Sequence, residues 1–294
     1  MQAYFFIGKG GTGKTTVSSA LAWQLAKAGY NTLLASLDPA HNLYDIFEIE
    51  EAGLKYQVND LLEIQQSDFE KIKREYFKEK IQLLKEINSH LTSFNLENYL
   101  KTLEYAPGQE EYAIILFLKN LLKQEKDYQY LVFDTPPTGL LLKILSLPVL
   151  SLTWIEKLID LRQKIVDRKE MIGNIKGEEE KPKYYSRDQV LTQLKQQKED
   201  YKALSQFYRK CNFYIVMNPD LIVEKESKRL IDQLGKIGIK LEGIVNNKCD
   251  ESYRFEHIEI ENIKLLQIGR QAEPSSKYKL NVDLLKTIDV TPSD

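Results

Sequence analysis

The sequence contains little sulfur and almost no excess charge. Its 294 residues include two cysteines and three methionines, and 41 Lys and Arg against 43 Asp and Glu leave a formal net charge of −2. Two cysteines far apart in sequence form neither a disulfide framework nor a four-cysteine zinc site, and reduced thiols fit a cytoplasmic protein. The near-neutral charge gives no electrostatic reason to expect nucleic acid as a partner.

Long apolar runs and targeting signals are also missing. The apolar run at residues 3–7 is too short for a signal peptide and has no basic residue before it. The longest apolar segments, residues 114–122 and 140–154, are interrupted by Lys, Asn or Pro. No run approaches the roughly 18 apolar residues of a membrane helix. We therefore expect a soluble, cytoplasmic protein whose contact with a membrane would go through a partner or a surface patch.

Patterns typical of strands and helices alternate along the chain. A helical spacing of apolar residues covers residues 15–28, and apolar runs of strand length occur at 4–7, 31–36, 130–134, 212–217, 241–246 and 264–268. Strands separated by helices predict an α/β fold with a doubly wound, mostly parallel sheet. We expect one domain over residues 1–294, with a helical subdomain built from insertions at about residues 60–126 and 150–208.

The most specific motif is the glycine-rich segment at residues 8–15. It reads GKGGTGKT, which matches G-x-x-x-x-G-K-[ST], and it lies between a predicted strand and a predicted helix. In such a loop, backbone N–H groups and the helix N-terminus bind phosphate oxygens, the lysine reaches the β- and γ-phosphates, and the final hydroxyl binds Mg²⁺. The motif predicts a nucleotide bound by Gly8, Lys9, Gly10, Gly11, Thr12, Gly13, Lys14, Thr15 and Thr16.

A second lysine, Lys9, follows the first glycine and gives the deviant form of this phosphate loop. In that broad class of ATPases, the extra lysine reaches the nucleotide of the other subunit in a dimer. Lys9 would then supply a cation in trans, as an arginine finger does. The alternative is an ordinary solvated loop lysine.

Two further segments narrow the class of ATPase that the phosphate loop indicates. Residues 37–43 read LDPAHNL and residues 134–139 read DTPPTG. Together with the phosphate loop, they resemble switch I and switch II of the arsenical pump-driving ATPases and of their eukaryotic relatives that target tail-anchored membrane proteins. Weaker similarity at 107–113, 221–234 and 243–247 extends the resemblance over most of the chain. It implies a Mg²⁺-dependent, homodimeric ATPase that binds ATP and ADP and couples hydrolysis to a client or membrane-protein partner.

The resemblance also implies roles for individual residues. Asp38 would orient or deprotonate the attacking water, and Asn42 would contact the γ-phosphate end of the site. Asp134 would hold Mg²⁺, with helix capping as its alternative role. Asn246 would read the adenine edge, or else be a turn residue. The implied catalytic set is Lys9, Lys14 and Asp38, and the implied metal-binding set is Thr15, Asp38 and Asp134.

The sequence departs from this family at switch II and near the predicted adenine site. Leu140 and Leu141 replace the usual His-Thr, which removes a polar element that couples the nucleotide state to the helical subdomain. Pro136 replaces an alanine and stiffens the loop, and Gly269 stands where the family has an adenine-side proline. The residues of the hydrolysis site itself are all present.

The sulfur content bears on the two specialisations of the family. Arsenite needs soft thiolate ligands, but Cys211 and Cys249 flank predicted strands and lie outside both insertions. A groove for membrane helices would be rich in methionine, whereas the matching stretch around Met171 is short and polar. We expect the apolar faces at 77–91 and 154–165 to belong to a core and not to a client groove.

Two other functions remain open. A partition or cell-division ATPase would act on DNA or a membrane, but it would normally lack the DPAHNL segment and would carry a basic amphipathic end, whereas residues 281–294 are short and acidic. A nucleotide-gated chaperone with negligible turnover would fit an uncoupled switch at Leu140 and Leu141.

Overall fold

The computed structural model describes residues 1–40, 42–49, 55–87, 108–124, 128–175, 188–249, 258, 263–269 and 282–288. The chain divides into two compact units, one formed by Met1–Ile144 and Lys210–Asp294 and the other by Leu145–Arg209. Each unit is described by itself.

The described part of the first unit contains an eight-stranded sheet with the order β3-β4-β2-β5-β1-β6-β7-β8. Only the β3–β4 pairing is antiparallel; the other pairings are parallel. The strands are β1 (Gln2–Ile7), β2 (Thr32–Ser36), β3 (Lys55–Asn59), β4 (Leu62–Gln66), β5 (Tyr130–Asp134), β6 (Asn212–Met217), β7 (Leu241–Cys249) and β8 (Lys264–Gly269). This architecture confirms the predicted α/β fold with a mostly parallel sheet.

The helices fill the connections between strands. They are α1 (Lys14–Lys27), α2 (Asn42–Phe47), α3 (Phe69–Ile87), α4 (Gln109–Lys123), α5 (Thr138–Ile175), α6 (Gln189–Lys210), α7 (Leu221–Lys236) and α8 (Leu284–Thr287). Helix α1 ends where Gly29 adopts a positive φ of 95°, which suits glycine. Helix α7 begins at Asp220, whose side chain accepts hydrogen bonds from the backbone N–H groups of Ile222 and Val223.

The central strands form because they are apolar on both faces, as helix-covered parallel strands require. In β1, the ring of Phe5 stacks between those of Phe133 and Phe213, with centroid distances of 4.4 and 4.9 Å. All three side chains are fully buried. This aromatic layer fixes β5, β1 and β6 side by side, and the candidate site lies at their carboxyl ends.

The sheet extends further than the sequence predicts. Strands β3 and β4 were not expected, and β4 lies within segment 60–126, which was predicted to be a helical insertion. That prediction is wrong at its start: Leu62 and Ile64 are buried and alternate with polar residues, so the period is two and not 3.6. The charge of the rest of the segment obscured this short strand.

In the second unit, the long helix α5 exposes an apolar face. Trp154 has 70% of its surface exposed, and Leu150, Leu158, Leu161 and Ile165 are exposed with it. These positions recur at three or four residues, so they lie on one side of the helix. The expectation that the face at 154–165 belongs to a core is therefore wrong. For the other face, Phe77 is buried, and residues 88–91 lie outside the described part of the chain.

Helix α5 also changes the expectation about membrane-length segments. Residues 138–172 form the one described helix that is long and apolar enough, by length and composition alone, to cross a membrane. Lys143 and Pro148 do not interrupt the helix. A single helix of this kind is weak evidence, because core helices of soluble proteins meet the same criteria.

Candidate active site

The predicted site residues of the first unit meet at one edge of the sheet. The phosphate loop follows β1, Asp38 follows β2, Asp134 ends β5, and Asn246 lies near the end of β7. The parallel register pairs Phe6 and Ser36 with Asp134, so these strand ends are level. Ligands of open α/β sheets bind outside the carboxyl ends of the strands. The fold thus places these residues where a ligand is expected.

The phosphate loop is tightly enclosed, and two of its glycines are needed for steric reasons. A Cβ on Gly8 would meet the carbonyl oxygen of Val216 in β6, and a Cβ on Gly13 would meet the side chain of Asn247. Both glycines also have positive φ, at 153° and 96°. The hydroxyl of Thr12 donates to the carbonyl of Lys9 at 2.9 Å, which closes the loop on itself.

Lys14 is buried at the start of α1 and lies close to carboxylates. Burial lowers the pKa of its ammonium, and the negative charges of Asp134 and Asp38 oppose that shift. Its Nζ donates to the carbonyl oxygen of Lys9 at 3.3 Å. The ammonium is thus held over the loop by a neutral backbone group, which a phosphate oxygen can replace.

Asp134 is the most unusual group in the site. It has 0% exposed surface, and neither carboxylate oxygen has a hydrogen-bond partner among the described residues. Burial raises the pKa of this carboxyl to about 7, against the lowering effects of the Thr15 hydroxyl and the Lys14 charge. The Thr15 hydroxyl and the backbone N–H of Thr135 both act to lower this pKa, but neither makes a hydrogen bond of full geometry to the carboxylate. A buried, unpaired carboxylate beside a hydroxyl is a donor set that suits Mg²⁺.

Asp38 and Asn42 belong to the segment after β2. Asp38 Oδ1 accepts a hydrogen bond from the backbone N–H of Ala40 at 3.0 Å, and the backbone N–H of Asp38 donates to the Ser36 hydroxyl. These bonds hold Asp38 at the strand end. Asn42 is the first residue of α2, but its side chain and all of His41 lie outside the described residues.

Lys9 is exposed and makes an ion pair that the sequence did not predict. Its Nζ lies 3.2 Å from Oε1 of Glu226 in α7, and both side chains are nearly half exposed. Such exposed ion pairs contribute about 0–1 kcal/mol. The Lys9 ammonium is therefore only weakly held by Glu226.

Asn246 and Asn247, near the end of β7, differ in their hydrogen bonding. Asn246 is fully buried, and neither of its side-chain polar atoms has a partner among the described residues. Asn247 instead donates from Nδ2 to the carbonyl of Thr12 at 2.9 Å. Asn247 was missed as a site residue, although its place beside Asn246 at a strand end was a usable signal.

The helix that follows switch II makes an ion pair with α4 that the sequence analysis missed. Lys143 in α5 lies 2.9 Å from Glu111 in α4, and Glu111 is buried. Burial raises the pKa of Glu111, but the hydrogen bond and charge of Lys143 outweigh it and lower the pKa overall. Leu141, one of the two leucines that replace the family's His-Thr, is fully buried. The segment after Asp134 is thus held by packing and by an ion pair to α4.

Neither cysteine belongs to a cluster of metal ligands in the part of the chain that the structure describes. Cys211 and Cys249 are buried, and burial raises the pKa of the Cys211 thiol, which disfavours the thiolate. In the described ranges of the chain, no three residues among His, Cys, Asp and Glu are grouped as a metal site. Gly269 ends β8, and among the described residues the atom nearest to a Cβ built on it is the backbone oxygen of Cys249, at 3.9 Å.

A glycine-rich loop between the first strand and first helix of a parallel sheet, with carboxylates at the neighbouring strand ends, defines a P-loop nucleoside triphosphatase. Comparison with known families narrows this class. The chain belongs to the anion-transporting ATPase family, whose family model matches residues 1–278. It is an ATP hydrolase of the type shared by arsenical pump-driving ATPases and their eukaryotic homologues, as the sequence analysis predicted.

Curated relatives carry names from both branches of that family. The chain is 34% identical over 250 residues to a protein of Aquifex aeolicus provisionally named arsenical pump-driving ATPase 2, which covers 84% of this chain and 80% of the relative. It is 32% identical over 247 residues to the ATPase ASNA1 homolog of Cryptosporidium parvum, covering 83% of this chain and 64% of that relative.

Proposed function

We propose that the protein is a Mg²⁺-dependent, homodimeric ATPase switch that couples ATP hydrolysis to a client or membrane-protein partner. The observation that carries the proposal is Asp134. A buried carboxylate with no full hydrogen bond from the described residues is costly, and here it faces Thr15 and Lys14 beside a complete phosphate loop. A bound cation and phosphate would satisfy all three groups together.

Each site residue then has a task. The loop of residues 8–14 and Lys14 bind the phosphates, while Thr15, Asp134 and Asp38 hold Mg²⁺, directly or through water. The metal supplies positive charge to the β- and γ-phosphate oxygens. Asp38 orients the attacking water and accepts its proton. Asn42 and Thr16 contact the phosphate end of the nucleotide, and Asn246 binds the edge of the adenine base.

Dimerisation gives Lys9 its role. The exposed ammonium exchanges Glu226 for the phosphates of the nucleotide in the partner subunit, where it stabilises the charge of the transition state. The weak, solvated ion pair with Glu226 favours this exchange, because breaking it costs about 1 kcal/mol or less. ATP binding would thereby favour a closed dimer, and hydrolysis to ADP would release it.

The exposed apolar face of α5 supports a protein partner. Five apolar side chains at helical spacing, of which Trp154 is the largest and most exposed, form a surface that hydrophobic clients can contact. The buried thiols do not favour arsenite as the substrate, because soft-metal binding needs accessible thiolates. We place this ATPase in the cytoplasm and expect no nucleic-acid partner.

The proposal is tested by steady-state ATP hydrolysis with and without EDTA. We expect Lys14→Ala and Asp38→Asn to lower turnover by a factor of about 100 or more, and Lys9→Ala to do so by a factor of about 10 or more. EDTA should abolish the reaction. Lys236→Ala and Asp232→Asn, exposed changes on α7, are matched controls that should leave turnover unchanged. Undiminished turnover in Asp38→Asn would contradict the catalytic assignment.

A further inference from the structure

The end of β7 contacts the phosphate loop through a single buried side chain. Asn247 has 7% of its surface exposed, and its Nδ2 donates to the carbonyl oxygen of Thr12 at 2.9 Å. Its Oδ1 accepts from the backbone N–H of Lys248 at 2.9 Å. The amide is therefore fixed at both of its polar atoms.

Two further contacts join the same strand end to the loop. The Asn247 side chain occupies the space that a Cβ on Gly13 would need, so the loop and strand touch directly there. Lys248 has a positive φ of 56°, which is uncommon for a residue other than glycine, and its Nζ lies 3.5 Å from the carbonyl of Gly11. Three successive loop residues thus face this one strand end.

We propose that Asn247 is a positioning residue that holds the phosphate loop in its phosphate-binding shape. In a trans peptide the C=O and N–H groups point to opposite sides, and the chain has no cis peptide bond among its described residues. Fixing the Thr12 carbonyl toward Asn247 therefore directs the N–H of Gly13 away from β7, toward the interior of the loop where phosphate oxygens bind.

The same strand end joins two parts of the nucleotide site. Successive side chains of a strand point to opposite faces, so Asn246 and Asn247 face different surroundings. This step rests on the proposed function, in which Asn246 binds adenine. Base recognition and phosphate binding are then set by adjacent residues of one rigid strand.

The test compares Asn247→Asp with Asn212→Asp. Asn212 is a matched control, because its Nδ2 also donates to a backbone carbonyl, that of Ala3, from the opposite end of a neighbouring strand. Asn247→Asp keeps the acceptor for Lys248 but replaces the donor to Thr12 with a repelling oxygen. Asn247→Ala removes both side-chain hydrogen bonds, to Thr12 and from Lys248, and introduces no charge. It replaces Asn247→Asp in the test if the aspartate variant does not fold.

Two measurements are made on each folded variant. The first is amide hydrogen exchange of the loop at residues 8–14 without nucleotide. The second is binding of ATP and of tripolyphosphate, which has no base. We expect Asn247→Asp to accelerate loop exchange and to weaken both ligands by about tenfold, the effect of one lost buried hydrogen bond. Asn246→Ala should weaken ATP and leave tripolyphosphate unchanged.

The outcomes separate this proposal from the proposed function. Unchanged loop exchange and unchanged tripolyphosphate affinity in Asn247→Asp would overturn the positioning role. Equal effects in Asn212→Asp would overturn it too, because they would indicate a general loss of stability. If the wild-type protein binds neither ATP nor tripolyphosphate, the proposed function fails. In that case, faster loop exchange in Asn247→Asp but not in Asn212→Asp would still show that Asn247 holds the loop in place.

Discussion

At the scale of single residues, Asp134 determines how the metal-free protein should respond to pH. Its carboxyl has a pKa of about 7 in the fold, against an ordinary value of 3.8. The folded state therefore binds more protons than the unfolded state between those values, and stability falls as pH rises through this window. The full shift corresponds to a loss on the order of 4 kcal/mol.

This prediction is checked by urea unfolding in EDTA at pH values from about 5 to about 8. We expect wild type to lose stability over this range and Asp134→Asn to lose much less, because the asparagine does not ionise. Asp232→Asn, an exposed change, should follow wild type. Parallel pH profiles for wild type and Asp134→Asn would show that the carboxylate is not destabilised by burial.

The site could be predicted from sequence only where its residues are close along the chain. The phosphate loop was recognised because residues 8–15 are contiguous and their glycines are dictated by local backbone shape. The contacts of Lys9 with Glu226 and of Asn247 with Thr12 were not predictable, because these partners are 217 and 235 residues apart. No local pattern encodes which distant side chain fills the space beside a glycine.

At the scale of helices and strands, the sheet was predictable from β2 to β8, but the edge formed by β3 and β4 was not. Strands β1, β5 and β6 are buried on both faces and are therefore continuous apolar runs. Strand β3 is partly exposed and polar, and β4 has only two apolar residues and ends in two glutamines, so neither gives a strong strand signal. Likewise, the spacing along α5 identifies an apolar face but not whether other residues cover it.

The exposure of that face gives a prediction with adjacent residues as its control. Trp154 is 70% exposed, whereas Ile155 is 6% exposed. We expect Trp154→Gln to change the free energy of unfolding by less than about 0.5 kcal/mol, as for other surface changes. Ile155→Gln should cost about 3 kcal/mol or more, because it buries an amide in an apolar environment.

The measurement is denaturant unfolding of both variants, together with binding of a hydrophobic dye. Trp154→Gln should also reduce dye binding, since it removes the largest side chain of the exposed face. A cost for Trp154→Gln as large as that of Ile155→Gln would restore the core interpretation and remove this support for a protein partner.

At the scale of the whole molecule, the proposed action of Lys9 in trans predicts complementation between inactive subunits of the proposed homodimer. A mixed dimer of Lys9→Ala and Asp38→Asn contains one intact site, formed by Asp38 of the first subunit and Lys9 of the second. Random exchange of subunits in an equal mixture makes half of all dimers mixed, and each mixed dimer has one intact site out of two. An equal mixture should therefore recover about a quarter of wild-type turnover.

Complementation is measured as ATP hydrolysis after the two purified variants are mixed and allowed to exchange. A mixture of Lys14→Ala with Asp38→Asn is the control, because both changes damage the site of their own subunit in cis. Each intact Lys14 then accompanies a defective Asp38, so no site is restored. Turnover in the test mixture no higher than in this control would mean that Lys9 acts within its own subunit or not at all.

The hydrogen bond from Lys14 to the Lys9 carbonyl has a consequence for the thermodynamics of ligand binding. In the structure, this ammonium lies over the loop, and its Nζ is 3.3 Å from a backbone oxygen. A phosphate oxygen that replaces the carbonyl finds the side chain ordered, so little rotamer entropy remains to be lost. The lysine is thus preorganised, and affinity at this position should depend more on the enthalpy of exchanging one acceptor for another than on the ordering of a mobile chain.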